Sequence, residues 1–121
     1  MAGYQDLRVW QLGIEITKKV YQLTASFPPE EKFGLTSQLR RCAVSIPSNI
    51  AEGHSRESRQ ELTRFCLIAK GSLAELETQL IIAKEFNFGN RKEIDTLMGL
   101  VLEEGRMLSG LRRSLRSKKE N

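Results

Sequence analysis

A single histidine, two cysteines and the lack of any glycine-rich phosphate loop leave this chain short of the usual materials of catalysis. His54 has no second histidine to pair with, so neither H-x-x-x-H nor a paired E-x-x-H metal motif can be assembled. Cys42 and Cys66 have no ligand spacing, and both fall at or beside helical core lines, where thiols are inert. Pairing either with His54 would need an exposed, acidic thiol. Two cysteines are also too few for a secreted disulfide scaffold, which points to buried thiols in a cytoplasmic protein. No apolar run nears the roughly 20 residues of a membrane span, and the N-terminal stretch lacks a signal pattern. Gly71, Gly89, Gly99, Gly105 and Gly110 are scattered and form no phosphate cradle. The expectation is a protein that is not an enzyme, with no catalytic, cofactor-binding or metal-binding residue.

What is present is ordinary globular material. The 121 residues are 40% apolar and 28% charged, which suits a single domain spanning residues 1–121. The formal charge of +4 is unevenly placed. From residue 106 onward, Arg106, Arg112, Arg113, Arg116, Lys118 and Lys119 face only Glu120, a net +5, so the rest of the chain is net −1. A solvated helix end would account for this basic tail, dense from about residue 112, and so would a strip that contacts RNA or DNA. The segment has no aromatic residue, so any such contact is expected to be to phosphate.

Periodicity predicts four helices. The first runs from 6 to about 24, with Asp6 as its cap; Leu7, Trp10, Ile14, Thr17 and Tyr21 form one apolar line, and Val9, Gly13, Ile16, Val20 and Leu23 widen it. Phe27-Pro28-Pro29 stops it. The second runs from about Leu35 to Gly53, with Leu35, Leu39, Cys42, Ala43, Ile46 and Ile50 as its core stripe. Pro47 falls inside it and should kink it rather than end it, because Ile50 resumes the stripe; Gly53 reads as its C-terminal cap and His54 as loop. Ser58-Arg59-Gln60-Glu61 is a capping box for the third, whose core line is Leu62, Phe65, Ala69, Leu73, Leu76, Leu80 and Ala83. Asn90 with Glu93 opens the fourth, which carries Ile94, Leu97, Met98, Val101, Leu108, Leu111 and Leu115; Arg112 on the core line suggests that the bundle ends near there. Four amphipathic helices on short connections read as an all-α, antiparallel up-down-up-down four-helix bundle.

Two side-chain sets stand out. Ser45, Asn49 and Glu52 flank the second stripe, and Ser72 and Glu75 flank the third, so a hairpin would bring them together. They read as a hydrogen-bonded structural network, or as a pocket lined by Asn49, Glu52 and Glu75. The third helix also has a second apolar line, Leu67, Gly71, Ala74, Thr78, Ile81 and Ile82, while Val44, Pro47 and Ala51 lie away from the second helix's own core. Val44, Ala51, Leu67, Gly71, Ala74, Ile81 and Ile82 are therefore expected at a self-association interface.

The motifs Tyr4-x-Asp6-Leu7-x-Val9-Trp10-Gln11, Phe33-Gly34-Leu35-x-x-Gln38-Leu39-Arg40-Arg41, Ser45-Ile46-x-x-Asn49-Ile50-Ala51-Glu52-Gly53 and Ala69-x-Gly71-Ser72-x-x-Glu75-Leu76-Glu77 resemble the family of 23S ribosomal RNA intervening-sequence proteins. The resemblance extends to about Leu111. It implies an antiparallel four-helix bundle assembled as a homopentamer, with no catalytic residues to carry over. A more distant resemblance is to the accessory variability protein of diversity-generating retroelements, a basic pentamer that binds nucleic acid and a reverse transcriptase. Two functions follow as expectations: an oligomer that binds RNA or DNA through its basic residues, or a scaffolding module that joins a protein partner without nucleic acid.

Overall fold

A computed structural model describes residues 3–120, with side chains as far as Arg116. The described residues are helical throughout apart from short turns: α1 (Arg8–Thr24), α2 (Leu35–Ser55), α3 (Arg59–Glu85) and α4 (Arg91–Glu120). The helices touch in a closed circuit, α1 to α2, α2 to α3, α3 to α4 and α4 back to α1.

Local chemistry sets the ends, not always by the residue expected. Asp6 does not cap α1. It closes a 3-10 turn at Tyr4–Asp6, its carboxylate accepting the Gly3 N–H at 3.4 Å, and Leu7 takes the N-cap without a side-chain bond. A second 3-10 turn, Pro29–Glu31, opens on the second proline, and the Glu31 carboxylate accepts the Leu35 N–H at 3.0 Å at the start of α2. Gly53 is not a cap either: α2 continues through His54 to Ser55, and the left-handed residue is Glu57, φ 54°. Gly53 is needed for packing, since a Cβ there would lie 2.6 Å from Phe65 Cβ and 3.3 Å from Leu62 Cα. Ser58 caps α3 by accepting the Glu61 N–H at 3.2 Å, while the Glu61 carboxylate turns to Arg64 at 3.1 and 3.2 Å. Asn90 accepts the Glu93 N–H at 3.0 Å. Before it, Gly89 has φ +76°, and a Cβ would meet Leu23 and Phe27 at 2.8 Å, so the turn needs glycine for both backbone and space.

Helix α1 faces inward by its second apolar line. Val9, Ile16, Val20 and Leu23 are buried with Gly13 and Thr24, whereas Leu7, Trp10, Ile14 and Thr17 sit at the rim and Tyr21 is exposed under the Arg40 guanidinium, 4.5 Å from the ring centroid. The apolar arc was wide enough for either line, and Gly13 decides between them. A Cβ there would lie 3.3 Å from Pro47 Cβ and Cδ and from Glu104 Oε2, so α2 and α4 both press against this bare position. In α3 the expected core line is buried from Phe65 to Ala83, with Leu62 half-buried at its start. In α4, Ile94, Leu97, Val101 and Leu108 join the core and Leu111 packs against it, so the connected core ends near Arg112, with Leu115 buried beyond it.

Helix α2 passes through Pro47 unbroken. Proline removes the N–H that the Ala43 carbonyl would otherwise accept. Thr17 on α1 offers a shared donor, its one hydroxyl proton lying between Gly13 O at 2.8 Å and Ala43 O at 3.2 Å. Thr17→Val should therefore cost about 1 kcal/mol of stability. In a Pro47→Ala background, where residue 47 again has an N–H, the cost of Thr17→Val should shrink. Chemical denaturation of the four proteins of this cycle measures the coupling, and equal costs in both backgrounds would disprove the exchange of donors.

Candidate functional site

The surface of α3 divides the molecule into a ridge and two grooves. Along the ridge lie Leu67, Gly71, Ala74, Ile81 and Ile82, all exposed, and a Cβ added at Gly71 would meet nothing within 4 Å. The second apolar line is thus open to solvent in the single chain. Val44 is exposed on α2, and Ala51 is half-buried beside a shallow apolar groove formed with Trp10, Ile14 and Pro47.

On the α4 side of the ridge is a groove of about 410 Å³ in which Lys70, Arg106 and Arg113 converge. Leu73, Val101 and Leu102 contribute apolar lining, and among the described residues Glu77 is its single carboxylate. The Lys70 ammonium donates to Ser109 Oγ at 3.0 Å, which ties the two helices and holds the charge at the groove. Lys70 was not among the expected cations. Its signal lay in its place on the α3 flank that packs beside Leu73, which only the pairing of α3 with α4 makes meaningful. Arg116 is exposed on α4, and Arg112 is half-buried with its Nε in no hydrogen bond among the described residues. The side chains of Lys118 and Lys119 lie outside the described residues.

On the α2 side is a polar groove of about 560 Å³. At its floor, Ser45 Oγ lies 2.8 Å from Ser72 Oγ and 2.6 Å from the Cys42 carbonyl, while the Cys42 thiol donates to the Ser72 carbonyl at 3.0 Å. Asn49 Nδ2 donates to Ser45 O at 2.7 Å. Ser45, Asn49 and Ser72 are thus brought into one network. Glu52 is not part of it: its carboxylate pairs with Arg56 one turn later at 3.1 Å, the nearer partner on its own helix. Glu75 lines the groove beside this network, without a hydrogen bond to it, together with Phe33, Gln38, Arg41 and Gln79.

Neither cysteine is prepared for nucleophilic chemistry. Burial pushes the Cys42 thiol up to about 11, with the Glu75 charge adding to the effect. Burial likewise raises Cys66 to about 11, against a smaller opposing pull from Arg112. Both are neutral at physiological pH.

One titratable residue stood out only in the folded chain. Glu104 lies between Val101 and Leu108 on the α4 core line, is 0% exposed, and has no hydrogen-bond partner for either carboxylate oxygen among the described residues. Its Oε2 faces the bare Gly13 position near Pro47. Burial, helped by the charge of Glu103, pushes its carboxyl up to about 8, so the buried group is the neutral acid at pH 7. The unfolded chain releases this proton near the ordinary glutamate value, about 4.3, and the folded chain holds it to about 8. Between these values the unfolded state binds fewer protons, so this group makes the fold less stable as pH rises. Glu104→Gln should match the parent near pH 4 and exceed it increasingly above, by about 1.4 kcal/mol per pH unit until the folded group itself titrates. Urea denaturation at several pH values checks this, and a constant difference between the two proteins would contradict it.

A family model described as 23S rRNA-intervening sequence protein matches residues 5–110. Among solved structures, the chain is similar to a protein of unknown function from the S23 ribosomal protein family of Bacteroides thetaiotaomicron VPI-5482. The two share 20% identity with a TM-score of 0.76, over 86% of this chain and 97% of that one. That likeness concerns the fold. No curated protein matches the chain.

Proposed function

The chain belongs to the family of 23S rRNA-intervening sequence proteins, and from that premise we propose a non-enzymatic, self-associating bundle of the cytoplasm that holds RNA or DNA by phosphate contacts along α4. The observation that carries this reading is the convergence of Lys70, Arg106 and Arg113 on one groove, with Arg116 exposed further along α4. Three cations against Glu77 make an electropositive channel, and long flexible basic side chains suit phosphate oxygens. Some of the tail cations also offset the α4 dipole, so nucleic acid is not needed to explain every one of them.

Pairs such as Thr17 with Ala43, Ser45 with Ser72 and Lys84 with Asp95 support an antiparallel up-down-up-down order. In that order the α3 ridge faces away from the chain's own core. Self-association would bury it against the α1–α2 groove of a neighbour, a head-to-tail contact that closes into a ring. Five subunits is the number that the family resemblance implies. A ring repeats the basic groove, and avidity turns weak single contacts into useful binding. The exposed ridge also favours a second reading, a scaffold whose partner is another protein. Co-purification of that protein without nucleic acid would mark it.

Binding through α4 should fall steeply with salt and show little preference for sequence. Replacing Arg106, Arg113 and Arg116 together by Gln should lower the salt slope by about 0.9 for each phosphate that is no longer neutralised. All three are exposed, so circular dichroism should show an unchanged fold. Equal affinity and slope for parent and triple variant, measured by fluorescence anisotropy on RNA and duplex DNA, would refute the assignment.

Assembly has its own test. Ala74→Arg places a charge on the exposed ridge, where a close helix contact would have to desolvate it, and should reduce the mass seen by light scattering. A parent protein that is monomeric at micromolar concentration would overturn self-association.

A further inference from the structure

The groove between α2 and α3 has a character unlike the basic channel on the other side of α3. We propose that it binds an unpaired nucleobase of single-stranded nucleic acid, with Phe33 as the stacking platform. This deepens the reading that the partner is a nucleic acid and rests on it.

Phe33 is 90% exposed. It precedes α2, and Lys32 lies with its ammonium 5.5 Å from the ring centroid. An aromatic face left in water beside a cation is a suitable platform for a flat, neutral ring whose backbone carries phosphate. The rest of the groove is polar rather than apolar. Gln38, Asn49 and Gln79 bring amides, Glu75 a carboxylate and Arg41 a guanidinium. Gln79 is half-buried at the groove wall, its Oε1 turned away from solvent. Glu75 is exposed and accepts only, which suits the exocyclic amino group of a base and opposes a free anion. Arg41, also exposed, can meet a phosphate or the acceptor edge of a purine.

The occupant is therefore planar, uncharged where it stacks, and rich in both donors and acceptors along its edge. A nucleobase has those properties. An apolar peptide helix does not, because among the described residues the only large apolar side chains at this groove are Phe33 and Ile68. The Ser45–Ser72 pair at the floor satisfies its own hydroxyls and gives the groove a fixed base.

The test compares a ten-nucleotide single strand with an abasic strand of the same length and charge, using the full chain at constant salt. The ordinary strand should bind about tenfold or more tightly, the scale of one stacked base. Phe33→Ala should erase that difference while leaving the salt slope and abasic binding unchanged, and Phe33→Trp should restore it. A Glu75→Ala variant should weaken strands of cytosine or adenine more than strands of uracil. Equal binding of the two strands by the parent, or a Phe33→Ala variant that keeps the preference, overturns the base site while leaving phosphate binding by α4 intact. Absence of all nucleic-acid binding by the parent overturns both readings. A change of oligomeric state or of a co-purifying protein in Phe33→Ala, with strand preference unchanged, would assign Phe33 to a protein contact and also overturn the proposal.

Discussion

Three helices of this bundle meet at one bare position. Gly13 lacks the side chain that would hold α2 and α4 away from α1, and Pro47 and Glu104 occupy the space it leaves. Each neighbour carries a cost in isolation. Proline deprives Ala43 of its helical donor, and the buried carboxyl has no hydrogen-bond partner among the described residues. The close approach that Gly13 allows brings Thr17 within reach of the freed carbonyl, and burial keeps Glu104 neutral. A side chain at 13 would press on α2 and α4 together, and α1 turns this line inward although Leu7 to Tyr21 is also apolar in the sequence.

With α1, α2 and α4 locked at that point, α3 closes the circuit through its own apolar line and leaves its other side outward. Both grooves are consequences of this placement. The one toward α4 gathers basic side chains from two helices, and the one toward α2 gathers hydroxyl, amide and carboxylate groups. Between them runs an apolar ridge whose small residues, Gly71 and Ala74, leave room for another backbone. The chemistry of the surface is thus sorted by helix interface rather than by position in sequence, which is how Lys70 comes to lie beside Arg106 and Arg113.

Much of the architecture is legible in the chain itself. The 3.6-residue period located four helices, and Ser58 and Asn90 announced two of their starts because a cap is a local interaction between residues three apart. Continuity through Pro47 followed from Ile50 resuming the stripe. What escaped depends on partners distant in sequence. The role of Gly53 is set by Phe65 on another helix, and a glycine near a helix end looks the same whether it caps or packs. Glu104 interrupted an apolar line, and only its neighbours Gly13 and Pro47 show that it stays inside. Phe33 read as part of a motif before α2, but its exposure beside a polar groove needs the α2–α3 pairing to be seen.

The buried acid of α4 gives the folded state an unusual dependence. Proteins commonly lose their fold in acid because carboxylates that are paired in the native state must take up protons. Here one carboxyl is native in its protonated form. The proton at Glu104 behaves as a ligand held by the folded chain and given up when the chain opens, so mass action by hydrogen ions favours the native bundle through this group. The interior of the protein thus contains, in effect, one bound hydrogen ion.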